Sequence, residues 1–185
     1  MGFLANKGFL TRLGLSAGLV CGWLLSALPT QAAELSREDK LKAAYLFHFT
    51  RFVRWTELGL SASQPINLCV DSEAAFVNFI TDMSDRAEYR GSPNRAVKVI
   101  SLTQVSDAEP VSDCHMIYMR QPGLHALLRD DALVVGDLGG PYSGQATVLF
   151  YPDKQRLRFQ VHVDRLEASG IPISSELLKL AKLVP

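Results

Sequence analysis

The chain has 185 residues, of which 48% are hydrophobic, and its 19 basic and 19 acidic side chains give a formal net charge of zero. This balance argues against a nucleic-acid or acidic-membrane partner, which would require a basic patch. The length suits one domain that buries a sufficient core without many crosslinks.

The N-terminus has the three parts of an export signal. Lys7 and Arg12 are basic, and no acidic residue precedes Glu34. An apolar run follows from Leu13 to Leu28, and small residues end the segment at Ala32. We therefore predict a signal peptide over residues 1–32, cleaved near Ala32, and a mature domain over residues 33–185 that works outside the cytoplasm.

Two other fates for this segment are less consistent with the sequence. A retained membrane anchor would need about 20 consecutive apolar residues, and this run is shorter. Lipid attachment at Cys21 is disfavoured because bulky Val20 precedes it. Cleavage leaves 17 basic and 19 acidic side chains, a net charge of −2.

The mature chain begins with a predicted helix from Arg37 to Trp55, with Ser36 as N-cap. We expect a solvated second face on this helix, formed by Lys40, Phe47, Arg51 and Arg54. We expect an apolar stripe at helical spacing, with His48 as an interior histidine, formed by Leu41, Ala44, Tyr45, His48, Phe49, Phe52 and Trp55.

A strand–turn–helix unit follows. Ile66–Val70 is a predicted strand, and Asp71 and Ser72 cap a helix that runs through Ile80. Residues 82–94 are polar and are expected to form a loop. A short helix is predicted from Gln121 to Arg129, and further strands are predicted at Val97–Ile100, His115–Met119 and Leu133–Val135. The alternation predicts an α/β fold with a mostly parallel sheet flanked by helices.

The C-terminal part changes this pattern. Ala146–Tyr151 and Leu157–Val163 predict an antiparallel hairpin, so the sheet should be mixed. Arg165–Ser169 is predicted to form one helical turn, ended by Gly170. A last helix, capped by Ser174, should carry the apolar residues Leu177, Leu178, Leu180, Ala181 and Val184, of which the first four should face the core. Its outward residues Glu176 and Lys179 are our candidates for partner binding.

Two cysteines, Cys69 and Cys114, remain after cleavage. In an oxidising compartment an even pair favours one disulfide, although two separate buried thiols are the alternative. No metal site is expected, because the four histidines, His48, His115, His125 and His162, lack ligand spacing. The sequence has no recognisable catalytic motif, so we expect neither an enzyme nor a cofactor.

The segment Gly136–Gly144 is rich in glycine but lacks the ending of a phosphate-binding loop. A turn-rich surface loop and a ligand-contacting loop are both compatible with it.

Five segments in order resemble the YfiR family and together span nearly the whole mature chain. They are Lys42–Trp55, Leu68–Val70, Cys114–Tyr118, Arg158–Phe159 and Ile173–Ala181. The resemblance implies a periplasmic regulator that restrains a membrane diguanylate cyclase of the YfiN type. It also implies a homodimer, a Cys69–Cys114 bond, and a YfiB-like outer-membrane lipoprotein that can sequester the regulator.

The chain departs from the family pattern in three places. It lacks a second cysteine pair near the glycine-rich loop, its glycine-rich loop matches poorly, and His162 stands where many relatives have asparagine. The main alternative function is a periplasmic small-molecule sensor, in which a cleft performs the recognition. A third alternative is an enzyme whose site the sequence does not reveal.

Overall fold

A seven-stranded mixed sheet forms the centre of the protein in a computed structural model that describes residues 34–89, 95–104, 113–122 and 131–185. The predicted signal peptide and most of the predicted helix after Gln121 lie outside these ranges. Within the described ranges, no helix has both the length and the apolar character needed to cross a bilayer.

The strands are β1 (Ile66–Asp71), β2 (Val97–Ser101), β3 (Met116–Met119), β4 (Leu133–Asp137), β5 (Val148–Asp153), β6 (Arg156–His162) and β7 (Lys182–Val184). Their order is β2-β1-β3-β4-β5-β6-β7. Every neighbouring pair is parallel except β5 and β6. The predicted mixed, mostly parallel sheet with an antiparallel hairpin is therefore confirmed.

Four described helices accompany the sheet: α1 (Arg37–Phe52), α2 (Ala74–Tyr89), α3 (Val163–Ser169) and α4 (Ser175–Leu180). One face of the sheet packs against α1 and α2 and carries the larger core, with Leu68, Tyr118 and Phe150 at its centre. The opposite face carries a smaller cluster around Cys69 and Ile117.

The start of α1 is confirmed, but its predicted end is wrong. The Ser36 hydroxyl accepts a hydrogen bond from the Asp39 N–H at 3.0 Å. The helix ends at Phe52 because Val53 is extended and pairs with Ile173, just before α4. Trp55 instead begins a separate turn of 3₁₀ helix, Trp55–Leu58.

The buried face of α1 differs from the predicted stripe. Phe47, expected in solvent, is buried, whereas His48 is exposed and Leu41 is 42% exposed. The interior assignment of His48 was therefore wrong. The physical reason is that α1 contacts α2 as well as the sheet, so its covered face is turned toward Ala43 and Phe47.

The loop predicted over residues 82–94 was wrong for residues 82–89, because α2 continues to Tyr89, and residues 90–94 lie outside the described ranges. Met83 and Ala87 extend the apolar stripe at helical spacing and pack against the main core. An ion pair between Asp82 and Arg86 supports the same turns from the solvent side.

The C-terminal region confirms the hairpin and the short helix α3, which ends at Gly170 in a left-handed conformation, φ 64°. The last helix is shorter than predicted. It ends at Leu180, and residues Lys182–Val184 form β7 parallel to β6. The unpaired edge of β6 accepts this strand, a long-range pairing that local periodicity does not reveal.

Candidate functional site

The carboxyl ends of β1, β3 and β4 meet near the N-terminal half of α1. In sheets with this order, the chain winds in opposite directions from β1 and β3, and ligands often bind in the crevice outside these strand ends. In this protein, charged side chains of the chain itself occupy that position. They are Lys42 from α1, Arg120 after β3 and Asp137 at the end of β4.

Lys42 is the most buried cation of this group, with a side chain only 7% exposed. Its Nζ lies 2.8 Å from Glu38 Oε1 and 2.9 Å from Asp137 Oδ1. Burial by itself lowers the pKa of Lys42, but the two carboxylates outweigh that effect and the pKa is raised. Lys42 is therefore a permanent cation that ties α1 to β4.

Arg120 makes the second set of ion pairs. Its Nη1 lies 3.0 Å from Asp39 Oδ1 and 3.4 Å from Glu73 Oε2, and its Nε lies 3.6 Å from Asp137 Oδ2. Burial opposes its charge, but Tyr118 and the carboxylates outweigh this and raise its pKa. Arg120 thus connects α1, β4 and Glu73, the residue just before α2, through one guanidinium group.

Two buried residues of the strands complete this arrangement. The Tyr118 hydroxyl donates to Asp137 Oδ2 at 3.3 Å, and burial together with the charge of Asp137 raises the pKa of Tyr118. Asp71 Oδ2 accepts the Gln121 N–H at 3.0 Å. Burial raises the pKa of Asp71, although backbone N–H groups of Arg120 and Gln121 oppose the shift.

We call Asp39, Lys42, Arg120 and Asp137 the carboxyl-edge network. These charges pair with one another and join α1, the end of β3 and the end of β4, which is the arrangement of a structural junction. Lys42 lies in the first segment of the family resemblance and Asp137 in the glycine-rich segment, but neither was predicted as a site residue, and Arg120 was missed. Their positions in the chain could have indicated the site, because Arg120 directly follows β3 and Asp137 ends β4, and parallel strands end at one edge.

The glycine-rich loop follows the network directly. Tyr142 is buried within it, and Arg165 Nη1 donates to the carbonyl oxygens of Ser143 at 3.2 Å and Ala146 at 2.7 Å. Gly139 has a φ of 80°, a conformation that favours glycine. These contacts fasten the loop to α3, and Leu138 at its start is 51% exposed.

At the opposite, amino edge of the parallel strands, Cys114 precedes β3 and forms a disulfide with Cys69, the fourth residue of β1. Cys69 and Cys114 are bonded, with their Cα atoms 5.7 Å apart, so the predicted pairing is confirmed. Next to it, His115 Nδ1 accepts the Asn67 N–H at 2.9 Å. Burial lowers the pKa of His115, and the charge of Arg95 adds to the decrease, while Asp113 and Asp131 oppose it.

A cavity of about 520 Å³ opens at this edge. Trp55 and His115 line it and lie with their ring centroids 5.9 Å apart. In the part of the chain that the structure describes, no group of three or more His, Cys, Asp or Glu side chains is arranged to hold a metal ion.

The last helix places the two candidate partner-binding residues, Glu176 and Lys179, in solvent. Leu177 is buried and Leu178 is partly buried, as expected. Leu180 was expected in the core but is 65% exposed, because the helix ends there and the chain turns into β7. Glu176 and Lys179 are separate from the carboxyl-edge network.

A groove of about 500 Å³ runs between α1 and the β5–β6 hairpin. The apolar and aromatic residues that line it are Leu41, Tyr45, Pro152 and Leu157, and its charged residues are Arg37, Glu38, Arg156 and Arg158. No local pattern in the sequence predicts this groove, because it combines residues from elements about 110 positions apart.

The comparisons with known proteins give one result that covers most of the chain. A family model described as YfiR/HmsC-like matches residues 39–182, from the first turn of α1 to the start of β7. A comparison with curated proteins found no match.

Proposed function

Because this chain belongs to the YfiR/HmsC-like family, we propose that it is a periplasmic regulator of cyclic-di-GMP signalling. In this proposal it binds a membrane diguanylate cyclase of the YfiN type and restrains it. A YfiB-like outer-membrane lipoprotein would relieve the restraint by sequestering the regulator, which acts as a homodimer. The family match over residues 39–182 is the observation that carries the proposal.

The disulfide supports a periplasmic location. Structural disulfides persist in oxidising compartments such as the periplasm and are rare in the cytosol. The Cys69–Cys114 bond lies in the core, where both cysteines are at most 5% exposed. Together with the three-part export signal, this bond supports export of the protein to the periplasm.

The carboxyl-edge network supports a binding protein in preference to an enzyme. Its ionic groups are matched in pairs and join structural elements, whereas catalytic groups must reach a substrate. A repressor needs no catalytic residue, only a surface that binds one state of its partner more tightly than another. We therefore propose that the protein acts through surfaces and is not an enzyme.

A small-molecule sensor is the second candidate, and the cavity at the amino edge favours it. This cavity brings an indole, an imidazole and the Asn67 side chain to one concave surface. Trp55 lies in its wall, so a bound ligand should change the intrinsic fluorescence of the protein. Titration of periplasmic extract fractions against the purified protein, with Trp55→Phe as control, tests this candidate.

The main proposal is tested by deleting the gene and measuring cyclic-di-GMP by mass spectrometry. We expect the concentration to rise and biofilm to increase, and the wild-type gene to reverse both changes. Deletion of the restrained cyclase in the same strain should abolish the rise. A pull-down from membranes with the mature protein as bait should identify that cyclase. Unchanged cyclic-di-GMP after deletion contradicts the repressor function.

A further inference from the structure

We propose that the groove between α1 and the β5–β6 hairpin binds an acidic segment of the regulated protein, with an apolar side chain of that segment on the groove floor. The inference rests on the proposed function and names the surface and the chemistry of the contact. We call the site the arginine groove; it is lined by Arg37, Leu41, Tyr45, Leu157 and Arg158, together with Glu38, Pro152, Gln155 and Arg156.

The first observation is an uncompensated positive charge. Arg37, Arg156 and Arg158 are exposed, and none has a carboxylate within ion-pair distance among the residues that the structure describes. Glu38 is the acidic residue of the lining, and Lys42 Nζ lies 2.8 Å from it. Counting only partners in the described ranges, the groove therefore presents three guanidinium groups without a paired carboxylate.

This charge is local and does not reflect the composition of the chain, because basic and acidic residues are equal in number over the whole sequence. Arginine binds carboxylates with two parallel hydrogen bonds, so a cluster of arginines is suited to an acidic peptide. The neighbouring turn adds no net charge, since Asp153 and Lys154 cancel.

The second observation is the apolar floor beneath these charges. Leu41 is 42% exposed and Tyr45 and Leu157 are partly exposed. A concave surface with an apolar centre and a charged rim is typical of sites that hold a side-chain anchor from a partner. The floor and the rim together favour a segment that carries both acidic and apolar residues.

The groove is preformed, because aromatic contacts fix its two walls. The Tyr45 ring of α1 lies 5.9 Å from the Phe150 ring and 5.7 Å from the Phe159 ring, centroid to centroid. At the hairpin tip, Lys154 and Gln155 have φ values of 45° and 65°. Two consecutive residues with positive φ form the tight turn whose twist matches paired strands. A partner would therefore bind without ordering this site.

Two other occupants fit less well. In a two-fold symmetric contact between copies of this chain, the same patch faces itself, which would bring arginines against arginines. An anionic bilayer is a broad surface, whereas Leu157 and Tyr45 are recessed between a helix and a hairpin. An acidic segment of a protein partner can enter the groove and neutralise its rim.

The test uses a charge reversal, Arg37→Glu with Arg158→Glu, in a strain that lacks the chromosomal gene. Arg156 is left unchanged because it lies opposite Asp153 in the backbone register of the hairpin, where a second carboxylate would repel Asp153 and destabilise the turn. Glu at position 37 lies in the first turn of α1, where a negative charge favours the helix. The control, Arg86→Glu with Lys98→Glu, makes the same charge change on α2 and β2 and also removes the Arg86–Asp82 ion pair, so it disturbs the fold at least as much as the groove variant does.

We expect the groove variant to bind the partner about 100-fold more weakly, from the loss of two charge-assisted contacts, and to leave cyclic-di-GMP at the level of the deletion strain. The control variant should restore repression as the wild type does. Thermal unfolding should show that both variants fold. Full repression by a folded groove variant would overturn the inference.

A photo-crosslinking residue at position 41 identifies the occupant in cells. We expect the crosslinked protein to be a membrane cyclase, joined through a peptide of net negative charge. When the variant also carries Arg37→Glu with Arg158→Glu, this peptide should no longer be crosslinked. Crosslinks to a second copy of this chain or to lipid, or none at all, would overturn the inference. Failure of the proposed function is separate: cyclic-di-GMP would then not change on gene deletion, whatever the crosslinked partner.

Discussion

Lys42 Nζ lies 2.9 Å from Asp137 Oδ1, so one ion pair joins the first helix to the carboxyl end of the fourth strand. Asp137 also approaches Arg120, and Arg120 contacts Asp39. The carboxyl-edge network therefore holds the N-terminal half of α1 in place. Leu41, one position before Lys42, lines the arginine groove, so the internal ion pairs also orient the proposed binding surface.

The Lys42–Asp137 pair should contribute measurably to stability. Lys42→Met leaves a partly buried carboxylate with one fewer partner, so we expect the free energy of unfolding to fall by about 2–4 kcal/mol. A double-mutant cycle with Asp137→Asn, followed by urea denaturation, should give a coupling energy of about 1–3 kcal/mol. Lys40→Met is the control, because the exposed Lys40–Glu34 pair should contribute under about 1 kcal/mol. Equal effects at both lysines would contradict the prediction.

Removal of the disulfide should lower stability strongly. The bond closes a loop with a sequence separation of 45 residues, for which the chain-entropy model gives about 4 kcal/mol. We expect a loss of that size for Cys69→Ala with Cys114→Ala, measured by urea denaturation. The wild type reduced with dithiothreitol should show the same decrease. Two free thiols in protein purified from the periplasm would refute the native bond.

His115 should make stability depend on pH. Its pKa is lowered in the folded state, so the unfolded chain binds the proton more readily. The neutral ring stabilises the fold because its Nδ1 accepts the Asn67 N–H, and this stabilisation is fully present above pH about 6.5. It is lost as the pH falls through the lower folded pKa. The free energy of unfolding, measured by urea denaturation at several pH values between 7 and 5, should decrease less steeply with falling pH for His115→Asn than for the wild type. Identical slopes would show that another group governs this range.

The last helix offers a second surface for the proposed repression. We expect the exchange Glu176→Lys with Lys179→Glu to weaken repression while changing the free energy of unfolding by under about 1 kcal/mol, because both side chains are exposed. Cyclic-di-GMP in the complemented deletion strain measures the effect. Full complementation would exclude these two residues from the working surface without affecting the arginine groove.

Processing is checked directly on the protein. The basic start, the apolar run and the small-residue exit predict that the mature chain begins near Ala33. N-terminal sequencing of periplasmic protein should find this end. A retained Met1 or a lipid on Cys21 would contradict the predicted cleavage.

Local patterns determined much of the fold. The Ser36 cap, the strand at Ile66 and the hairpin were predicted correctly because caps, alternation and turn residues act over a few neighbouring positions. The same rules placed Glu176 and Lys179 in solvent. The five motifs, read in order, indicated the YfiR family, and the match of the family model over residues 39–182 confirmed it.

The tertiary structure decided the features that depend on residues far apart in sequence. His48 is exposed and Phe47 buried because α2 covers a side of α1 that periodicity cannot assign. Residues after Leu180 form β7 because β6 offers an unpaired edge. Lys42, Arg120 and Asp137 meet because parallel strands end at one edge, and the arginine groove exists because α1 packs beside the hairpin. The sequence specifies which side chains are charged or apolar. Which of them are buried or paired, and the energy that this contributes, depends on how the elements pack.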